Sequence, residues 1–441
     1  MKNFIKSLLM VALTFSFLTW QSCRKDDNTP QNTVEKYDAK LAQEWMQAAY
    51  DAVKANGLFA LDASRIYSYT AISMYESMVH GLPQGKSLAG QLQGLQTLPQ
   101  PEPGKSYDWA IVMCHATPAI IEATLPNINQ TTVNNLRSLA NKQESELQAE
   151  YKVSDQVIKN SKDYADELVD AILAWAATDN RINLEKIAYT EPSTAGNPQF
   201  WKGSTLGQNF MMPYWWTSRP FAINSYQICE PAAPLAYSSD PSSAYYKEVE
   251  EVYQASFDPQ KIAVGTYWAN NPGLSGTPAG SWLGIACQLV DQYELDLTTT
   301  LRMYVLMTIS TRDGFIACWY MKFKYNLQRP VTYIREVMGH GTWASAVPTP
   351  PYPDYTSGTS TNAGSSSAVL IHLFGDKPFT DSQHVDKGFG TKSFSSFSQA
   401  GSDAFHSRIY GGVHMRRACE LGFEHGKCMA NYIIDKIDFT K

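Results

Sequence analysis

Three separated segments of the 441-residue chain carry side chains suited to holding an anion. The first is Lys322-Phe323-Lys324-Tyr325-Asn326-Leu327-Gln328-Arg329-Pro330. Lys322 and Arg329 stand two helical turns apart, so a continuous helix puts them on one face, and Pro330 ends or kinks it. A guanidinium fork beside an ammonium suits a tetrahedral or trigonal oxyanion. The second is Tyr355-Thr356-Ser357-Gly358-Thr359-Ser360, at the start of a small-residue helix. There the Ser357 hydroxyl and the Gly358 N–H can face an anion. The third is Ser407-Arg408-Ile409-Tyr410-Gly411-Gly412-Val413-His414, where two glycines bend the chain before a helix and let Arg408 and His414 converge. Read singly, the first also fits a solvated basic face, the second an ordinary N-cap and the third a structural histidine.

Other chemistries fail on spacing. Gly85-Lys86-Ser87 and Gly104-Lys105-Ser106 have His80 and Pro99 where a P-loop needs its first glycine. No His is followed by Glu, which removes HExxH zinc sites, and no GxSxG elbow is present.

The elements that must position these residues are helical. Apolar residues recur at three and four spacing over 37–56, 61–80, 107–125, 131–151 and 154–177, and again over 242–256, 282–293, 297–328, 357–374 and 413–437. Residues 180–240 break the pattern. They are rich in Trp, Tyr, Pro and Asn, and read as a packed loop region beside a site. Its 201–216 stretch either shapes that site or supplies aromatic packing. Few runs alternate with period two, and no repeat is visible. The expected fold is all-α, one compact domain of bundled helices. With 44% hydrophobic and 18% charged residues the chain is globular, and its net charge of −6 argues against a general nucleic-acid binder.

Residues 1–22 read as an export signal: Lys2 and Lys6, then an apolar run from Leu8 to Trp20 too short to span a bilayer. Ser22-Cys23 resembles the lipobox of bacterial lipoproteins, so Cys23 is the expected lipidation site, 23–36 a polar linker and 37–441 the folded domain. The expected location is exported, lipid-anchored in the bacterial cell envelope at the outer membrane, with membrane contact through that lipid only. The other six cysteines, Cys114, Cys229, Cys287, Cys318, Cys419 and Cys428, form no CxxC pair and read as core thiols ahead of disulfides.

Taken together, Lys-x6-Arg-Pro, Ser-Gly and Ser-Arg-x5-His in this order resemble the superfamily of vanadium-dependent haloperoxidases and type-2 phosphatidic acid phosphatases. The wording of 315–319, 325–332 and 407–414, with 67–76 and 238–252, is closer to the soluble haloperoxidase branch. The resemblance implies that Lys322, Arg329 and Arg408 bind the oxygens of vanadate, or of phosphate in the same site, with hydrogen bonds from Ser357 and Gly358. His414 would ligate vanadium or attack phosphorus. Three cations would neutralise an oxyanion otherwise costly to desolvate.

Two departures matter. The family usually has an acid–base His directly after Ser-Gly, where this chain has Thr359, a hydroxyl that cannot exchange protons near pH 7 as imidazole does. The family's phosphatases commonly carry Asp four residues after the histidine; here that position is Ala418, so His414 must be oriented from elsewhere. His406 is either a replacement base or a surface loop histidine. Three functions follow: a haloperoxidase-like enzyme using hydrogen peroxide and a halide or small organic acceptor, a phosphatase acting on phosphomonoesters through a phospho-histidine, or an oxyanion-binding protein whose turnover is lost at Thr359.

Overall fold

Short polar side chains set the helix starts. Asp108, Asn129, Ser154, Ser243, Asp258, Asp296, Ser357 and Ser396 each accept a hydrogen bond from a backbone N–H in the first turn they cap. The computed structural model describes residues 34–204, 208 and 210–441. The expected export signal and Cys23 lie outside them.

In chain order the helices are α1 (Lys40–Ala55), α2 (Ala60–Met78), α3 (Trp109–Thr124), α4 (Gln130–Tyr151), α5 (Asp155–Ala176), the single turn α6 (Arg181–Leu184), α7 (Ala244–Ala255), α8 (Pro259–Tyr267), α9 (Thr277–Gln292), α10 (Leu297–Tyr325), α11 (Pro330–Glu336), α12 (Gly358–Phe374), α13 (Phe397–Tyr410) and α14 (Arg416–Lys436). Strands β1 (Phe379–Asp381) and β2 (Lys392–Phe394) pair antiparallel, Phe379 opposite Phe394, as a small hairpin. The fold is therefore the helical bundle expected. Val34, inside the expected 23–36 linker, is fully buried.

The 29-residue α10 runs through the centre, buried on nearly every face, and packs on α2, α12 and α14. The α12–α14 contact brings two site segments together and depends on missing side chains. A Cβ on Gly364 would meet the Phe423 carbonyl oxygen at 2.0 Å, and one on Gly426 would meet the Thr361 carbonyl oxygen at 2.0 Å. Both helices can approach this closely only as glycine at these points.

Several boundaries differ from expectation. α10 stops at Tyr325 because Asn326 turns left-handed (φ 46°), and Pro330 opens α11 as its first residue. Lys322 and Arg329 are therefore not on one helix face; a turn between two helices carries Arg329 back. α8 and α13 were not legible in the hydrophobic pattern, and α9 begins at Thr277, before the expected 282. Cys229 and Cys428 form a disulfide (S–S 2.02 Å), correcting the thiol reading at this pair; Cys114, Cys287, Cys318 and Cys419 are free and buried. The partners are 199 residues apart, so only the packing of the 180–240 region against α14 reveals them. No described helix is long and apolar enough to cross a membrane.

Candidate functional site

The segment 352–358 joins the exit of α10 to the start of α14. Asp354 N–H donates to the Leu327 carbonyl at 2.9 Å, and Ser357 N–H to the Ala418 carbonyl at 2.9 Å. Around this segment the structure gathers Lys322 from the last turn of α10, Arg329 from the N-cap of α11, Arg408 from the last turn of α13, and His414 from the Gly411–Gly412 turn before α14. All four are buried.

Lys322 Nζ donates to the carbonyls of Pro353 (2.9 Å), Asp354 (3.2 Å) and Thr356 (2.5 Å). Three acceptors match the three protons of an ammonium. Burial opposes that charge and, with Arg329 nearby, lowers the pKa to about 7. Arg329 Nε donates to the Tyr352 carbonyl at 2.8 Å and Nη1 to the Val413 carbonyl at 2.7 Å, while Nη2 has no partner among the described residues. Arg408 Nε also has none, and burial is the largest effect on that guanidinium. Burial lowers the pKa of both arginines, and the nearby Asp354 offsets part of this at Arg329.

His414 is held by a residue the motif reading passed over. Asp354 Oδ1, fully buried, lies 2.9 Å from His414 Nδ1 and 3.8 Å from Arg329 Nη1. Neither Asp354 carboxylate oxygen completes a hydrogen bond among the described residues; a hydrogen bond to the Asp354 backbone favours the ring's charged form, and Arg329 Nη1 lies 3.3 Å from Nδ1 and 2.9 Å from Nε2. Burial, followed by Arg329, Lys322 and Arg408, drives the His414 pKa well below the usual range, so the ring is neutral. Burial raises Asp354 to about 7, and Arg329 and Lys322 offset only part of it. The carboxylate missing at Ala418 thus has a counterpart at Asp354; its signal in sequence was an acid among prolines and aromatics, four residues before Gly358.

Ser357 caps α12, its hydroxyl accepting from the Ser360 N–H (3.3 Å) and hydroxyl (2.8 Å). Gly358 is the first residue of α12, where the backbone N–H groups have no partner within the helix. Trp319 and Phe315 lie 3.5 and 3.6 Å from where its Cβ would stand. Thr359 is half-buried and, with Arg408, Trp319, Tyr352 and Met211, lines an adjoining cavity of about 170 Å³. The 201–216 stretch therefore does both things expected of it: Met211 reaches the cavity, while Trp201 and Trp215 are packing. His406 lies on α13 rather than in a loop, its ring against Phe405 and Tyr410 and its Nδ1 2.8 Å from the Ser402 carbonyl. It is not among the residues lining this cavity.

The group thus holds three basic side chains against one carboxylate, with unpartnered donors and a neutral imidazole. Buried positive charge of this kind calls for an anion. Comparison with known proteins agrees. The family model described as VCPO second helical-bundle domain matches residues 302–439, which include every residue of this group. The first bacterial vanadium-dependent iodoperoxidase has a similar structure, with a TM-score of 0.82 and 28% identity over 91% of this chain and 97% of that one. A holo-type bacterial vanadium-dependent chloroperoxidase aligns with a TM-score of 0.66 and 17% identity, over 92% of this chain and 98% of that one. Its apo-type counterpart gives 0.61 and 17%, over 86% and 95%. No curated protein sequence matches. These matches support the vanadium haloperoxidase superfamily: the family model over residues 302–439, and a fold shared over most of the chain with the iodoperoxidase.

Proposed function

We propose that this protein is a vanadium-dependent haloperoxidase-like enzyme that oxidises a halide or small organic acceptor with hydrogen peroxide. One observation carries the reading: Arg329 Nη2 and Arg408 Nε are buried without partners among the described residues, beside a neutral His414 whose Nδ1 lies 2.9 Å from Asp354 Oδ1. These residues fit vanadate. Arg329 and Arg408 would hold its oxygens, the Ser357 hydroxyl and Gly358 N–H would add hydrogen bonds, and His414 Nε2 would ligate vanadium. Lys322, whose protons already meet carbonyls, would contribute mainly charge. Bound vanadate supplies activation of peroxide. The overall balance is halide, hydrogen peroxide and one proton giving hypohalous acid and water, two electrons passing from halide to peroxide oxygen. The protein's share is to neutralise oxyanion charge with preorganised donors and hold His414 neutral against Arg329 and Asp354.

The export-type N-terminus, with lipid on Cys23, supports a place outside the cytoplasm at the outer membrane, and the Cys229–Cys428 disulfide fits an oxidising compartment. Purified protein loaded with vanadate should oxidise iodide or bromide only when peroxide is present; absence of peroxide-dependent halide oxidation contradicts the enzyme reading. Thr359 favours a second reading, an oxyanion binder with lost turnover, which the same assay selects if vanadate or phosphate binds tightly without oxidation. Phosphate release from an aryl phosphate, abolished by His414→Ala, would select the phosphatase alternative instead.

A further inference from the structure

Residues 228–236 cross the molecule as a strap with neither helix nor strand. Rings pack its two ends, Tyr226 on Tyr320 at 4.4 Å and Tyr237 on Tyr245 at 5.3 Å. Between them, no backbone–backbone hydrogen bond joins 231–236 to another segment among the described residues. Side chains and one covalent bond hold the strap instead. Glu230 pairs with Lys324, the Tyr355 hydroxyl donates to the Ala232 carbonyl, and Arg417 Nε donates to the Ala233 carbonyl at 2.8 Å. Each contact lands beside a cage residue: Lys324 is two residues after Lys322, Tyr355 follows Asp354, and Arg417 is three residues after His414. The strap thus braces all three segments that carry the cage. The covalent bond is Cys229–Cys428. Cys428 is exposed and Cys229 half-buried, so a thiol can reach the bond. Cys229 holds φ at 60°, in the left-handed region that non-glycine residues rarely enter, so its backbone gains by moving once the bond is cut.

We propose that the Cys229–Cys428 bond is a redox-sensitive latch on the oxyanion cage: a dithiol opens it, the strap lifts and the cage loosens, and hydrogen peroxide closes it again. The inference rests on the reading above for the cage's ligand and for the oxidant. In opening, a thiolate of the dithiol attacks Cys428 Sγ and the S–S bond breaks. The second thiol of the reductant then releases Cys428 and forms the reductant's own disulfide, so two electrons and two protons pass to the cysteines. In closing, one cysteine thiolate takes an oxygen from peroxide, giving a sulfenic acid and water. The other thiol displaces that oxygen as a second water, and the S–S bond reforms; two electrons pass from sulfur to peroxide oxygen. With the bond open, Glu230, Ala232 and Ala233 no longer brace the segments that carry Lys322, Asp354 and His414.

The test reduces the full-length chain with dithiothreitol, desalts it and titrates it by calorimetry with inorganic phosphate, which thiols do not reduce. Alkylation mapped by mass spectrometry should mark Cys229 and Cys428 ahead of the four buried cysteines. Phosphate affinity should fall ~10-fold or more relative to the oxidised chain, the usual cost of losing a supporting partner, and return after peroxide treatment. Amide hydrogen exchange should quicken in 228–236 and in 352–358 while the middle of α10 keeps its protection. Tyr355→Phe, with the disulfide intact, should weaken phosphate binding by itself and leave less for reduction to remove. A bond that native dithiothreitol leaves closed overturns the proposal, as does a reduced, folded chain with unchanged phosphate affinity. If reduction unfolds the chain, Tyr355→Phe decides, and unchanged affinity in that variant overturns the latch. An oxidised chain that binds neither phosphate nor vanadate would sink the cage reading instead; exchange in 352–358 then decides the latch, upheld if reduction quickens it and overturned if not.

Discussion

Two regions of this helical core bury arginine, and they differ in how the charge is closed. Around Asp179, Arg65 Nε donates to Oδ2 at 2.6 Å, Tyr69 donates to the same oxygen at 3.1 Å, and Arg312 Nη2 lies 3.5 Å away with its guanidinium over Phe221. Neighbouring Asp313 accepts the N–H groups of Phe221, Ala222 and Ile223. Burial pushes Asp179 up, yet Arg312 and Arg65 outweigh it and hold its carboxyl below the usual range. Around Asp354 the balance is the reverse: burial wins, and the carboxyl rises to about 7 although Lys322 and Arg329 are close. The first cluster sets Arg65 and Arg312 against two acids, although Arg312 Nε and Nη1 keep no partner among the described residues. The second sets three cations against one acid. The charge balance, rather than unpartnered guanidinium atoms, separates the two regions.

Breaking each region should therefore give opposite results. The largest effect expected is on chemistry at the open cage. Thr359→His returns an imidazole beside Arg408 and should raise peroxide-dependent halide oxidation by ~10²-fold or more, the usual worth of general acid–base help. An unchanged rate would separate Thr359 from turnover. In the closed cluster, Asp179→Ala strands Arg65 and Arg312 and should cost ~3–5 kcal/mol of stability, read by denaturant unfolding, with vanadate affinity unaltered among folded molecules. Arg408→Met should do the opposite: stability equal or higher, vanadate affinity down ~10–100-fold, the loss of a charge-assisted bond worth ~1.5–3 kcal/mol. Asp354→Asn removes the carboxylate charge beside His414 and should cost vanadate affinity ~10–100-fold, visible as a changed His414 ring nitrogen signal in NMR.

The smallest effect is with pH. Asp354, raised from 3.8 to about 7, keeps a proton in the folded chain that the unfolded chain releases, so its contribution to stability is present at low pH and is lost between about pH 4 and 7. Lys322, lowered from 10.5 to about 7, acts the other way above 7: the unfolded chain holds the proton, so stability rises with pH. An anion needs Lys322 charged. The rise in melting temperature given by vanadate should therefore shrink between about pH 7 and 9; a flat response would show that Lys322 keeps its proton there.

What the sequence disclosed follows from which interactions are local. Amphipathic spacing exposed most helices, and Ser357 announced the start of α12. The cage residues were legible because each lies in a short motif with distinctive chemistry. Their meeting was expected for a wrong reason at one point, since Arg329 reaches Lys322 through the Asn326 turn rather than along a helix. Asp354 was missed because its partner His414 is sixty residues away and joins it only when α12 packs on α14. The 199-residue span of the Cys229–Cys428 disulfide hid it in the same way. α13 escaped because Ser398, Gly401, Ser402 and Ser407 dilute its apolar stripe.

The central claim is that Lys322, Arg329, Arg408 and His414 form one open positive cage. Calorimetric titration of the purified chain with orthovanadate tests it most directly. The account predicts one site per chain, competed by phosphate and weakened ~10–100-fold in Arg408→Met. Absence of saturable binding, or binding that Arg408→Met leaves unchanged, would contradict it.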